Sequence, residues 1–186
     1  SAEDFLNAFK DANADTIIVF PNNGNVILTA EQAADLYKDA KVIVMHTKSA
    51  VECYSALSIV SLDTDTLEDS LSTMKQSMEN LVSGEVCPAV RDSMNNGLAI
   101  KEGDFMAITG GSVVASEKKL VDAAIKLIES IPSIDEKEVI TCFTGLDATR
   151  EDIDAFREAV ISKYPLMEFV EIEGGQSIYP FIIAAE

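Results

Sequence analysis

Thr47, Lys48 and Ser49 follow an apolar run, Lys41-Val42-Ile43-Val44-Met45, and precede a helical pattern over residues 50–60. Two hydroxyls and an ammonium just ahead of a helix suit an anion, because the first N–H groups of a helix are unpaired and its dipole favours negative charge. Ser49 with Glu52 three positions on also reads as an N-cap, so that hydroxyl serves the helix whether or not it serves a ligand. A second run of the same kind, Thr16-Ile17-Ile18-Val19-Phe20, stops at Pro21 and opens into Asn22-Asn23-Gly24-Asn25. Asn22, Asn23 and Asn25 bring amide donors and acceptors without charge, and Asn accepts left-handed backbone. The same residues fit a tight turn equally well. Gly174-Gly175-Gln176, with Tyr179 close behind, lets the chain turn sharply and approach a ligand or another chain, and also fits a plain strand-to-strand turn. Arg91 and Asp92 are neighbours in a β-rich stretch, so they point to opposite faces and one of them is expected to be buried and paired.

These residues are binding candidates; none is assigned as catalytic. His46 is the single histidine, so it cannot assemble a zinc site with other histidines, and as a general base it lacks a partner named by the sequence. It reads as a polar loop residue. Asp63, Asp65, Glu68 and Asp69 resemble an acidic metal cluster, but Thr64 or Asp65 reads as a helix cap and the others as its acidic first turn. Neither an EF-hand spacing nor a Walker loop is present. No Ser-His-Asp or Cys-His arrangement and no nucleophile elbow support a hydrolase. Cys53, Cys87 and Cys142 lie far apart, and Cys53 and Cys142 read as small buried residues suited to a reducing cytoplasm.

The elements that position these loops alternate. Residues 1–11 form a helix opened by Ser1 and Asp4, with Phe5, Leu6, Ala8 and Phe9 on one face. Strand 16–20 follows, then a helix capped by Thr29, strand 41–45, and the helix after Ser49. A long amphipathic helix carries Leu67, Leu71, Met74, Met78, Leu81 and Val82 and ends at Ser83-Gly84. Then comes a β-rich section, 86–115, with turns at Asn95-Asn96-Gly97, Glu102-Gly103 and Gly110-Gly111. Ser116 opens a helix stopped by Pro132. Strand 138–143, a helix capped by Thr149, strand 167–172 and strand 179–184 complete the chain. Residues 1–49 and 116–176 thus echo each other as helix, strand, helix, strand, each strand ending in a polar loop. The expected class is α/β: two α-β-α-β units with mostly parallel strands, joined by a long helix and a β-hairpin ribbon. The division falls at 1–83 and 84–186, within one compact region of a longer protein.

The chain has 186 residues, 47% of them hydrophobic, which is enough to bury a core. Its 32 acidic residues against 14 basic ones give a formal charge of −18, which repels phosphate backbones and excludes nucleic acid as a general partner. No signal peptide pattern occurs, and no apolar run nears the ~20 residues that span a bilayer. The capped helix at Ser1 begins abruptly, as expected of a fragment. From the residues alone this is an α/β binding or interaction module without a complete catalytic set.

Five motifs in order add a resemblance: Pro21-Asn22-Asn23-Gly24-Asn25, Thr47-Lys48-Ser49, Ala89-Val90-Arg91-Asp92, Gly103-Asp104-Phe105-Met106, and Gly174-Gly175-Gln176 with Tyr179-Pro180. Together they resemble the C-terminal region of the dihydroxyacetone-kinase-like family, which in bacteria supplies the kinase subunit of fatty acid kinase. The resemblance covers essentially the whole chain. It implies that ATP and magnesium belong to an N-terminal kinase domain absent here, with no cofactor in this region. It also implies a cytoplasmic role in lipid metabolism, docking a DegV-type fatty-acid-binding protein whose acyl carboxylate is phosphorylated, and it allows a homodimer through the parent protein. Asn22, Asn23, Lys48, Arg91 and Gln176 match the family's motifs. The family often has Lys where Gly24 stands and Pro where His46 stands, so His46 inherits no role. The alternative is a small-molecule domain that binds a phosphorylated or carboxylated metabolite at the helix N-termini.

Overall fold

The computed structural model describes residues 1–61 and 66–186, which form two compact units, Ser1–Leu81 and Val82–Glu186. The first unit contains α1 (Ala2–Ala12), β1 (Thr16–Val19), α2 (Ile27–Leu36), β2 (Lys41–Val44), α3 (Ala50–Ser58) and α4 (Leu67–Asn80). α1 starts at the expected capping box, in which the Ser1 hydroxyl accepts from the Asp4 N–H and the Asp4 carboxylate accepts in return. β1 and β2 pair in parallel, Thr16 opposite Lys41 through Val19 opposite Val44, with α2 as the crossover. α2 does not open at Thr29. Asn23 caps a short 3-10 turn, Gly24–Val26, by accepting from the Asn25 N–H, and the helix continues from it, leaving Thr29 inside.

Ser49 caps α3 as expected, accepting from the Glu52 N–H. The cap of α4 is Thr66, which accepts from the Asp69 N–H; Thr64 and Asp65, and Asp63 of the acidic cluster, lie outside the described residues. α4 ends at Asn80, so Val82, Ser83 and Gly84 belong to the next strand and not to the helix end. The core here is small and rich in methionine. Met45, Ala56 and Met74 are buried, with Ile18, Phe20, Val60, Leu71 and Met78 against them. The buried Ser55 and Ser77 hydroxyls bond each other between α3 and α4.

The second unit contains β3 (Val82–Pro88), β4 (Ser93–Asn95), β5 (Leu98–Ile100), β6 (Phe105–Thr109), β7 (Ser112–Glu117), α5 (Leu120–Glu129), β8 (Val139–Thr144), α6 (Arg150–Lys163), β9 (Glu168–Glu173) and β10 (Phe181–Ala185). Six strands form one sheet in the order β7-β6-β3-β10-β8-β9, and β4 and β5 form a separate hairpin. The α/β class is as expected, but strand direction is more mixed. β1–β2 and β8–β9 are parallel, each joined by a helix, whereas β7–β6, β6–β3, β3–β10 and β10–β8 are antiparallel. Tight hairpins force antiparallel neighbours, and the returning chain inserts β10 between β3 and β8, pairings that local periodicity does not encode. The hairpin turns are as expected: Asn96 and Gly97, and Gly110 and Gly111, all have positive φ. Ser116 lies in β7 and not at a helix start; α5 opens after Lys119 without a side-chain cap.

α5 and α6 pack on this sheet. Leu127, Ile128, Ile140, Phe156, Phe181 and Ile183 are fully buried among the largest side chains of the core. The Phe156 ring stacks on Phe181 at 5.2 Å and meets Phe169 edge-on at 5.5 Å. Leu127 reaches the strands because Gly84 has no side chain: a Cβ there would lie 2.8 Å from Leu127 Cδ1 and 2.5 Å from the Ile108 carbonyl. No helix among the described residues is long and apolar enough to cross a membrane.

Candidate functional site

Parallel pairing brings the carboxyl ends of β1 and β2 to one edge, where ligands of such sheets are met. The loops there hold each other. Asn22 takes left-handed backbone at φ 56°, and its N–H donates to Thr47 Oγ1 at 3.0 Å. Thr47 is fully buried. Burial pushes up the pKa of the half-buried Cys53 thiol, with the Asn22 side chain acting the other way, while Asn22 Oδ1 is buried without a hydrogen-bond partner. Asn23 and Ser49 are consumed as caps, and Glu52 also accepts from the Lys48 N–H. Asn25 and Lys48 are exposed. His46 has a partner that the sequence did not name, because its Nε2 lies 2.8 Å from Glu31 Oε1 on α2. A cavity of about 380 Å³ opens beside β2, lined by Val44, Met45, His46, Lys48, Lys75 and Met78, with Glu52 and Glu79.

The carboxyl ends of β8 and β9 form the second set. The Gly174 and Gly175 N–H groups both donate to the Thr144 carbonyl at 3.0 Å. Leu146 N–H donates to the Gln176 carbonyl at 2.9 Å, and Gly145 N–H to the Pro180 carbonyl at 2.8 Å. The Gln176 amide donates to the carbonyls of Phe143, at 2.8 Å, and Tyr179, at 3.0 Å. Gln176 is therefore a clamp between loops. The glycines that frame it sit at close approaches, Gly145 against backbone and Gly174 against the Gln176 side chain itself. A Cβ on Gly145 would lie 2.3 Å from the Tyr179 carbonyl oxygen, and one on Gly174 would lie 2.1 Å from Gln176 Oε1. Tyr179 is half-buried. The loops turn two large apolar side chains outward, Leu146 at 73% and Ile178 at 64% exposure, beside the exposed Asp147 and Glu173.

Arg91 and Asp92 join neither set and are both exposed, against the expectation that one is buried. The chain bends before β4 there, so strand alternation does not apply. Asp92 accepts from the Glu102 N–H at 2.8 Å and from Lys101 Nζ at 3.2 Å, fastening the β4–β5 hairpin, and these donors hold its carboxyl below the usual range. Sequence reading missed Glu171. Arg150 grips it with two bonds, at 2.8 and 2.9 Å, and Arg157 adds a third, tying α6 to β9. These hydrogen bonds, Arg150's first, hold the Glu171 carboxyl low. A glutamate inside a strand facing a pair of arginines about two helical turns apart was the signal. Cys142 is fully buried, and its thiol is pushed up to about 12 mainly by burial, so it is inert as a nucleophile. Among the described residues no group of three or more His, Cys, Asp or Glu side chains is placed to hold a metal ion.

A family model for the C-terminal region of FakA-like fatty acid kinase proteins matches residues 1–186. Protein YloV of Bacillus subtilis is 35% identical over 187 residues, which covers 100% of this chain and 33% of that protein. The uncharacterized protein SAR1202 of Staphylococcus aureus is 32% identical over 186 residues, with the same coverage. The chain thus spans about a third of the length of the curated relatives it matches. In fold it is similar to the Streptococcus pneumoniae fatty acid kinase B3 protein solved with linoleic acid, with a TM-score of 0.70 at 14% identity over 100% of this chain and 76% of that one. A DegV family protein from Thermus thermophilus gives 0.66 at 15% identity, covering 100% and 77%. The dihydroxyacetone kinase from C. freundii gives 0.66 at 11% identity, covering 100% and 41%.

Proposed function

Because the chain belongs to the FakA-like C-terminal family of fatty acid kinases, we propose that it is a non-catalytic docking domain. It holds a DegV-type fatty-acid-binding protein while an ATP- and magnesium-binding domain elsewhere in the parent protein phosphorylates the partner's acyl carboxylate. The observation that carries this reading is how the strand-end loops use their polar groups. The Gln176 amide, the Asn23 and Ser49 caps and the Thr47 hydroxyl all bond within the domain. They hold the loops in shape, as expected of groups that build a docking surface. Titration calorimetry of the protein against an acyl-loaded DegV-type protein tests the reading. Saturable binding is expected; no heat from a folded sample overturns it.

One observation favours a second reading. Lys48 and Lys75 line the cavity beside β2 over a floor of Val44, Met45 and Met78, and among the described residues neither lysine is in an ion pair. A small carboxylate or phosphate with an apolar body suits the two lysines, while Glu52 and Glu79, which complete the lining, disfavour a highly charged anion. A ligand at 100 times its Kd would raise the stability of the folded state by about 2.7 kcal/mol, which a thermal-shift screen of such anions would register.

A further inference from the structure

Ile178 has φ 73°, a left-handed conformation in which a β-branched side chain crowds its own backbone. Glycine or asparagine would hold that backbone with less strain. The isoleucine does not recover the strain by burial, since 64% of it is exposed. Leu146, 73% exposed, is tied to the same loop by its N–H bond to the Gln176 carbonyl at 2.9 Å. The backbone bearing both is fastened by the Gly174, Gly175 and Gly145 N–H bonds and by the Gln176 clamp. Two apolar side chains on a fixed, strained turn lose little further freedom on meeting a partner, which is the condition for a strong contact.

We propose that Leu146 and Ile178 are the apolar anchor through which the second unit engages the DegV-type partner, which meets them with an apolar pocket rimmed by lysine or arginine. This rests on the docking function proposed above and assigns its place. The basic rim follows from charge. Asp147, next to Leu146, and Glu173, at the end of β9, are exposed carboxylates with no ion pair among the described residues. Asp147 adjoins Leu146 in sequence and Glu173 pairs with Thr144 at the end of the same strands, in a chain of net charge −18. An anchor of this kind carries most of the energy of an interface, while charges around it steer encounter.

The test pairs calorimetric titration with thermal unfolding, on the full-length protein and an acyl-loaded DegV-type protein. Ile178→Gly is expected to weaken binding at least tenfold while the unfolding midpoint holds or rises, because the strain is gone. Ile178→Asn should do the same, and Leu146→Ser should weaken binding similarly without moving the midpoint. Leu166→Ser, at a fully exposed leucine on another loop, should bind as the parent does. Raising the salt from 50 to 200 mM should weaken the parent's binding, and Asp147→Asn should flatten that dependence. Undiminished binding by the Ile178 and Leu146 variants overturns the anchor and leaves the docking function standing. A midpoint that falls in Ile178→Gly assigns the residue to the fold and overturns the anchor as well. Absence of binding by the parent protein overturns both.

Discussion

The loops after β1 and β2 and the loops after β8 and β9 occupy the same topological place, the carboxyl edge of a parallel pair joined by a helix. They are built differently. In the first unit a side chain does the holding, as the buried Thr47 hydroxyl accepts from the Asn22 N–H, and polar groups such as Lys48 and Asn25 face outward. In the second the backbones interlock through four N–H bonds to carbonyls of the opposite loop, glycines clear the way, and Leu146 and Ile178 face outward. Topology fixes where a loop sits, whereas the contact chemistry decides how tightly it is held and what it can meet. A permissive polar loop suits a small polar ligand, and an interlocked apolar one suits a protein surface.

Substitutions can break or sharpen this contrast, and urea unfolding is the measurement for each. Gly145→Ala should do the most damage, about 3 kcal/mol, because the added methyl overlaps the Tyr179 and Gln176 carbonyls and the loops cannot part without losing their bonds. Gln176→Ala should follow at about 2 kcal/mol, since two carbonyls lose their donor together. Thr47→Val keeps the volume and removes only the acceptor for Asn22 N–H, so about 1 kcal/mol is expected. Gly24→Ala should act in the opposite direction, adding about 0.5 kcal/mol of stability: its φ is ordinary and the new methyl meets only Lys48 Cγ, at 3.8 Å. If Thr47→Val cost as much as Gln176→Ala, or Gly24→Ala as much as Gly145→Ala, the two edges would be equally rigid and the contrast would fail.

What could be read from the sequence follows the range of the physics. Caps are local, so Ser1 with Asp4, Ser49 with Glu52 and Thr149 were legible and open helices as expected, Thr149 in a capping box that Asp152 completes. Thr29 and Ser116 carry the same residue types without the role. A 3-10 turn capped by Asn23 had already started α2, and β7 runs on through Glu117. The hairpin turns were legible because Asn-Gly and Gly-Gly select the turn by their own backbone preference. The direction of most strands in the six-stranded sheet was not, since β10 pairs with residues about a hundred positions earlier. At the site, the loops themselves were legible from the composition at strand ends. The role of Gln176 was not, because one of its partners is a main-chain carbonyl 33 residues away that no side-chain pattern announces.

The placement of β10 has a consequence for the order in which the molecule is made. Residues 181–185 are the strip that joins β3 to β8, so β3, β6 and β7 cannot unite with β8 and β9 until that strip has left the ribosome. Until then two half-sheets each expose an unpaired edge, of the kind that templates aggregation. Closing them spans nearly the whole unit in sequence, a late and slow step for a growing chain. A stall in synthesis short of Phe181 would leave the apolar floor beneath α5 and α6 open, and a nascent chain in that state is a natural client for a chaperone.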